Sequence, residues 1–571
     1  FLMNKIINFK YISFYLLIFL LITFSFYSLF ILSKKHFIQN DELLLEHVEY
    51  KDTYRINIGK KMPIYKNADI KETYLLNTLP FEYQFTLDKG YITYNPFLFA
   101  LEVTYKMTFG PVSPFLSMLF VDKNLDFNEN LFKFRMINLI IYILSIFTFF
   151  KIFYKNTHKS IFILLLSLFC LSHHNLIITS IATPYGYLIL YFLIYFYLLQ
   201  KIQTVKSIKK QSWFIIIIIS TLFFYTHWLG LYVSFLFNLI LFIYDYFSLN
   251  QKKIKKYLLI AFVYFILYLP GLIRLTILNN LNFLGRDYEP IVFDYFIIFN
   301  ILKNYFYINI NNLIFSNIFQ INLFFGIIFI LLVVIFFFKY FNKYKKNLII
   351  VFSVSITLLF ILLNLFNKFP LIPSRHTIFF FPIFLYFLHN ALQLIILDKY
   401  FNKYLKYFLY LSSFFIISIS LIESDTFLKN RMNFSNDLLK EKIINLSHNK
   451  DIKNIHAAYP VYLWINKDKF LLENQIYDHL FIKNSRYLDD KYLEKSLIID
   501  YNNYSMDDYL LFYFNGGYIK TMSKNHYNKK FSIKTIYESK NIYFNPIDNF
   551  LKKKYTLENN KLKIQELDIL Y

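Results

Sequence analysis

Cysteine is almost absent: Cys170 is the only one in 571 residues, and it sits inside an apolar run. An internal disulfide, a disulfide framework and a cysteine zinc cluster are therefore excluded. Charge is missing in two places. The middles of the long apolar runs are nearly free of it, and the short loops around 173–183 and 226–230 contain no lysine or arginine. No clear internal repeat is visible, and none of the usual nucleic-acid-binding motifs is present. No small-residue cleavage pattern follows the first apolar run before Ser33-Lys34. That run is too long for the core of a secretory signal, so it is expected to stay as a first helix. The chain begins Phe1-Leu2-Met3, and Met3 or a residue further upstream is expected to be its start.

What is present is apolar: 57% of residues are hydrophobic and 22% aromatic, far outside an ordinary soluble domain. The abundance of Phe and Tyr, beside Ile, Asn and Lys, fits an AT-rich coding sequence better than aromatic boxes for a ligand. Apolar runs of roughly twenty residues recur, which marks an all-α polytopic membrane protein. About eleven spans are expected, near 11–33, 132–153, 160–180, 185–202, 212–229, 231–249, 257–278, 321–340, 347–366, 376–397 and 404–422.

The net charge of +24 comes from lysine clusters between these runs. They are Lys151, Lys155 and Lys159; Lys201, Lys206, Lys209 and Lys210; Lys252, Lys253, Lys255 and Lys256; Lys339, Lys343, Lys345 and Lys346; and Lys399, Lys403 and Lys406. Their alternation with lysine-free loops puts the amino terminus in the cytoplasm and the carboxyl terminus outside. Residues 34–131, 279–320 and everything after 423 then fall on the outer side. Residues 1–422 read as the membrane domain, with 34–131 as a first outer loop carrying interfacial helices. Residues 423–571 read as a small extracytoplasmic α/β domain, with strands expected at 452–459, 496–501 and 531–537 and a helix at 436–446.

This topology gathers the polar motifs on one face. Asp41 and Glu42 follow the first span; His173 and His174 end the third; Thr183-Pro184-Tyr185 opens the fourth. Thr226-His227-Trp228 lies between the fifth and sixth, Arg274 ends the seventh, Arg286-Asp287 follows it, and Pro373-Ser374-Arg375-His376 opens the tenth. Ionisable residues near membrane level are costly and tend to mark function. Each has a plainer reading. Asp41-Glu42 can be a solvated pair at a helix end, Arg375 a headgroup anchor, and Arg286-Asp287 a local ion pair. His173 and His174, adjacent on a helix, point in different directions, and His227 reads as structural or substrate-contacting rather than as a metal ligand.

The order of these motifs resembles the GT-C glycosyltransferases, and within them the bacterial group similar to dolichyl-phosphate-mannose-protein mannosyltransferases (family 39-like) and aminoarabinose transferases. The acidic pair after helix one is matched by Asp41-Glu42. A His-Pro-Pro-Leu-Tyr-Tyr-like segment leading to Phe-Gly is matched by Tyr94-Asn95-Pro96-Phe97-Leu98-Phe99 and Phe109-Gly110, and an arginine entering helix two by Arg135. Ala182-Thr183-Pro184-Tyr185-Gly186 resembles the Ala-Arg-Pro-Tyr-Ala-like start of helix four. Thr226-His227-Trp228-Leu229-Gly230 resembles a Thr-His-Tyr-x-Gly turn, and Arg375-His376 through Pro382 an Arg-Tyr helix ending in Pro. The match covers roughly residues 11 to 400. Asn95 and Thr183 depart from the pattern, and 111–130 looks inserted.

The resemblance implies an inverting hexosyl- or pentosyltransferase that uses a polyprenyl-phosphate sugar donor and a glycan, lipid or protein acceptor. Asp41 is expected to be the general base, with Glu42 orienting it or the acceptor. Arg375, then Arg274 and Arg135, are expected to hold the donor phosphate, since guanidinium forks match phosphate oxygens. Tyr94, Asn95, Tyr185, His227 and His376 are expected to contact substrate. No complete ligand set for a metal is visible, and a divalent ion is left open. An O-antigen ligase or polymerase is the nearest alternative enzyme. A lipid-linked-saccharide transporter or flippase is the alternative of another class, and a sensor with an outer ligand-binding domain is a third reading.

Overall fold

A segment inside a bilayer has no water for its backbone N–H and C=O groups, so apolar runs are forced into helices. The computed structural model describes residues 2–35, 112–120, 127–155, 157–205, 208–248, 254–280, 297–344, 347–365, 369, 371, 375–397, 402–432, 454–457, 475–478, 496–500, 530–538 and 563–570. The helices are α1 (Leu2–Lys35), α2 (Val112–Met118), α3 (Phe127–Phe153), α4 (Lys159–Leu171), α5 (His173–Ser180), α6 (Tyr185–Ile202) and α7 (Lys210–Thr226). They continue with α8 (Leu229–Ile243), α9 (Ile254–Asn280), α10 (Ile297–Asn312), α11 (Phe319–Tyr344), α12 (Leu348–Leu365), α13 (Phe380–Leu397) and α14 (Asn402–Met432).

Among the described residues, eight helices are long and apolar enough to cross a membrane. The chain is a membrane-embedded, polytopic helical protein. The expected span at 160–180 is two helices, α4 and α5, bent by 47°. At the bend the His173 N–H leaves the helical ladder for the Ile314 carbonyl at 2.7 Å, while the Ser172 hydroxyl donates to the Asn312 carbonyl at 2.8 Å and accepts the Asn175 N–H at 3.2 Å. The expected spans at 212–229 and 376–397 correspond to the shorter apolar helices Lys210–Thr226 and Phe380–Ile396. The segment 279–320, read from sequence as a loop, contains the helix α10.

The chain divides into two units: residues 1–30, 109–113 and 138–425, and residues 31–108, 114–137 and 426–571. The first is the helical unit, and its centre is α6. Tyr187, Leu188, Phe192, Leu193, Tyr195 and Phe196 of that helix are all buried. Their rings stack on neighbouring helices: Tyr195 on Phe237 at 4.0 Å, Tyr191 on Phe223 at 4.6 Å and Phe192 on Phe379 at 5.2 Å between centroids. Several buried hydroxyls bond locally or across helices. Ser145 and Ser167 donate to carbonyls four residues back, at 2.8 Å each. Tyr195 bonds Ser220 at 3.2 Å and Ser234 at 2.8 Å, Tyr264 donates to Asn238 at 2.9 Å, and Tyr268 donates to the Ser220 carbonyl at 3.0 Å. This polar ladder ties α6, α7, α8 and α9 together, as small polar groups do between membrane helices.

A π-helical turn, Tyr244–Ser248, extends α8 and buries Asp245, which pairs with Lys256 at 2.7 Å and accepts the Tyr257 hydroxyl at 2.8 Å. Pro270 interrupts the ladder of α9, and beside the carbonyl it frees, Tyr225 donates to the Leu267 carbonyl at 2.7 Å. In the second unit, strands β1 (Asn454–Ala457), β2 (Gln475–Asp478), β3 (Ser496–Asp500), β4 (Lys530–Glu538) and β5 (Lys563–Leu570) form one sheet, ordered β2-β1-β3-β5-β4. β1 pairs in parallel with β2 and β3, and β5 runs antiparallel to β3 and β4. The helix expected at 436–446 lies outside the described residues.

Candidate functional site at the helix ends

Three short junctions of the helical unit bring distant residues together. The first is the turn at 181–184, which closes α5 and launches α6. A Thr183 N–H to Ile181 carbonyl bond of 2.7 Å tightens it, and Tyr185 is the first residue beyond it. The second is His227-Trp228, between α7 and α8. Here the His227 N–H bonds the Phe223 carbonyl at 3.0 Å and the Gly230 N–H bonds the His227 carbonyl at 2.8 Å. Gly230 is required at this bend, because a Cβ there would sit inside contact distance of the Phe223 carbonyl oxygen. The third is the 3-10 turn Arg375–Thr377 that precedes α13.

Tyr185 is the hub. Its hydroxyl lies 3.1 Å from His376 Nδ1, and its ring meets the His376 ring edge-on at 5.0 Å. The Arg375 guanidinium lies over the same ring, 5.1 Å from its centroid, in cation–π range. The His227 ring is 5.4 Å from Tyr185 and stacks on Trp228 at 5.8 Å. Trp228 in turn meets Phe369 at 6.2 Å. Arg375, His376 and Trp228 are half-buried, whereas Tyr185 and His227 are buried. The result is a cationic, aromatic-walled cluster.

His227 has a defined role in hydrogen bonding. Its Nδ1 accepts the Leu229 N–H at 3.1 Å, so the neutral ring carries its proton on Nε2 and presents it as a donor. Burial, and then the positive charges of His376 and Arg375, hold this imidazole well below its ordinary value. The cluster thus combines one permanent cation with a neutral imidazole donor and a tyrosine hydroxyl. Such a set can bind an anion by charge-assisted and neutral hydrogen bonds together.

Of the residues singled out from sequence, the structure brings together Tyr185, His227, Arg375 and His376. Arg135 is fully buried, and its Nη1 donates to the Ser33 carbonyl at 3.1 Å near the end of α1, where a cation satisfies terminal carbonyls. Arg274 lies within α9, with its side chain outside the described residues. Asp41, Glu42, Tyr94, Asn95, Arg286 and Asp287 also lie outside them. His173 is buried at the start of α5, where its N–H bonds the Ile314 carbonyl at 2.7 Å. No group of three or more metal-ligating side chains occurs among the described residues.

Sequence reasoning missed two polar residues that hold such junctions. Asn138 of α3, fully buried, donates from Nδ2 to the carbonyls of Ile181 and Thr183. Glu423 of α14 accepts the Ser316 hydroxyl at 3.0 Å and the Asn317 N–H, closing the α10–α11 turn. Thr226, already part of the Thr226-His227-Trp228 motif, is buried beside His227 and shares a 3.0 Å bond with the Tyr191 hydroxyl. The available signal was a polar residue alone in an apolar run, which in a membrane protein is seldom idle. No protein-family model, curated protein or solved structure matches the chain.

Proposed function

We propose that the chain is an integral-membrane glycosyltransferase, moving a sugar from a polyprenyl-phosphate-linked donor to a glycan, lipid or protein hydroxyl. The reading places it in a bacterial cytoplasmic membrane with its amino terminus in the cytoplasm. The cluster around Tyr185 and residues 423–571, read as an α/β domain, would then both lie outside. The observation that supports it is the convergence of Arg375, His376, His227 and Tyr185 from three separate stretches of the chain. A cation with neutral donors, half-buried at helix ends, suits the phosphate of a lipid-borne substrate.

In this reading the acceptor oxygen forms a bond to the anomeric carbon as the bond from that carbon to the phosphate oxygen breaks. The electron pair leaves with the phosphate, whose charge Arg375 offsets, and the hydroxyl proton passes to Asp41. Displacement from the face opposite the leaving group inverts the anomeric centre, as in inverting glycosidases. Arg375 fits the phosphate role best. Arg135, buried and bonded to Ser33, fits a helix-end role better.

The alternative of a lipid-linked-saccharide transporter or flippase draws on the 47° break at Ser172, since broken helices are common in transporters. Mass spectra of envelope glycans and lipids test the transferase reading. Deletion cells complemented with Asp41→Asn should lack one sugar residue that wild-type cells carry. Restoration of that residue by Asp41→Asn would refute the assignment of Asp41 as the base.

A further inference from the structure

The turn at 181–184 decides where Tyr185 stands. Within it the Thr183 N–H bonds the Ile181 carbonyl at 2.7 Å. The carbonyls of Ile181 and Thr183 share one donor from another helix, Asn138 Nδ2 on α3, the latter at 3.4 Å. Asn138 is fully buried in an otherwise apolar stretch of α3, in a unit of the protein where a polar group without partners is expensive. On the far side of the turn, Gly186 packs against Thr179, whose Cγ2 would lie 3.1 Å from a Cβ at that position. The turn is therefore gripped from α3 on one side and seated on α5 on the other.

We infer that Asn138 is a positioning residue for the cationic cluster: through the 181–184 turn it sets Tyr185, and through Tyr185 it sets His376 and Arg375. The linkage is contiguous. Asn138 holds two carbonyls of the turn, Tyr185 follows the turn directly, its hydroxyl meets His376 at 3.1 Å, and its ring carries Arg375 at 5.1 Å. Asn138 itself does not touch the ligand. A carboxamide suits the task because both hydrogens of its NH2 can be given to carbonyl oxygens without placing a charge in the membrane interior. Only the choice of ligand in the test rests on the proposed phosphate reading; the linkage itself does not.

The test uses the full-length protein with isotope-labelled histidine, reading the His376 imidazole signal by NMR after assigning it with His376→Gln. Asn138→Leu keeps the volume and removes the donor. It should move the His376 signal in the same direction as Tyr185→Phe, which breaks the hydroxyl contact. In the Tyr185→Phe background, Asn138→Leu should add little further shift, because the two act through one path. Undecaprenyl phosphate is the binding probe, read by native mass spectrometry: Asn138→Leu should weaken it about fivefold or more, and by less than twofold once Tyr185 is Ala. An unmoved His376 signal in Asn138→Leu would overturn the inference, as would independent, additive effects of the two substitutions. If Asn138→Leu does not fold, Asn138→Ala, which also removes the donor, is read the same way. Failure of wild-type protein to bind undecaprenyl phosphate would sink the phosphate reading alone, and the His376 signal would still decide the linkage.

Discussion

Helices α6 and α9 are both apolar and tyrosine-rich, yet they occupy opposite environments. In the span of α6, 72% of the residues are buried; in that of α9, 17%. Hydropathy runs the other way, the buried span being the less apolar of the two, because lipid is as apolar as a protein core. What differs is the polar stripe. Tyr187, Tyr191 and Tyr195 of α6 recur every fourth residue and are buried. Those of α9 that turn inward, Tyr257 and Tyr268, share a narrow face with Gly271, while Leu258, Leu259, Phe262, Phe265 and Ile266 are exposed. Four of these inward tyrosines, Tyr191, Tyr195, Tyr257 and Tyr268, have hydroxyl partners, so polar pairing marks the inward face better than hydrophobicity does. The candidate site sits at the amino-terminal end of the buried helix, where the surrounding packing can hold Tyr185 in place.

Truncation of the central helix should show the contrast most strongly. Tyr195→Ala removes a fully buried ring and two hydroxyl bonds, so a loss of about 4 kcal/mol in unfolding free energy is expected. A chemical-denaturation series in detergent would measure it. Next comes the junction at the end of α7. Because His227 is held below its ordinary value of 6.5, the unfolded chain takes up that proton first. The stability His227 contributes is therefore intact above about pH 6.5 and is lost as the pH falls below it. Melting curves recorded between pH 7 and pH 5 should be flatter for His227→Gln than for wild type.

On α9 the effects should shrink. Tyr268→Phe deletes one interhelical bond to the Ser220 carbonyl and should cost about 1 kcal/mol. Leu259→Ala, on the exposed face of the same helix, should change stability by less than about 0.5 kcal/mol. Equal losses at Tyr268 and Leu259 would erase the proposed distinction between the two faces.

The membrane helices were largely legible in the sequence because a long apolar run is a local property. The break at Ser172 was not, since it depends on the His173 N–H and the Ser172 hydroxyl reaching the Ile314 and Asn312 carbonyls in a distant part of the chain. The helix α10 was missed for a related reason: Asn304, Asn309, Asn311 and Asn312 make it too polar for a hydropathy window. At the site, Tyr185, His227, Arg375 and His376 could be found because their residue types are themselves suggestive. Asn138 could not, because its role lies in bonds to backbone carbonyls in a turn 43 and 45 residues away. Asp245 and Glu423 were hidden in the same way, each defined by partners and not by a motif.

The central claim is that the cationic cluster at the helix ends receives a lipid-borne phosphate, and its most direct test is the affinity for undecaprenyl phosphate. Native mass spectrometry of wild type and Arg375→Ala gives the comparison. Loss of one charge-assisted contact should weaken binding by about tenfold or more, with the protein still folded. Equal affinity in the two proteins would contradict the account.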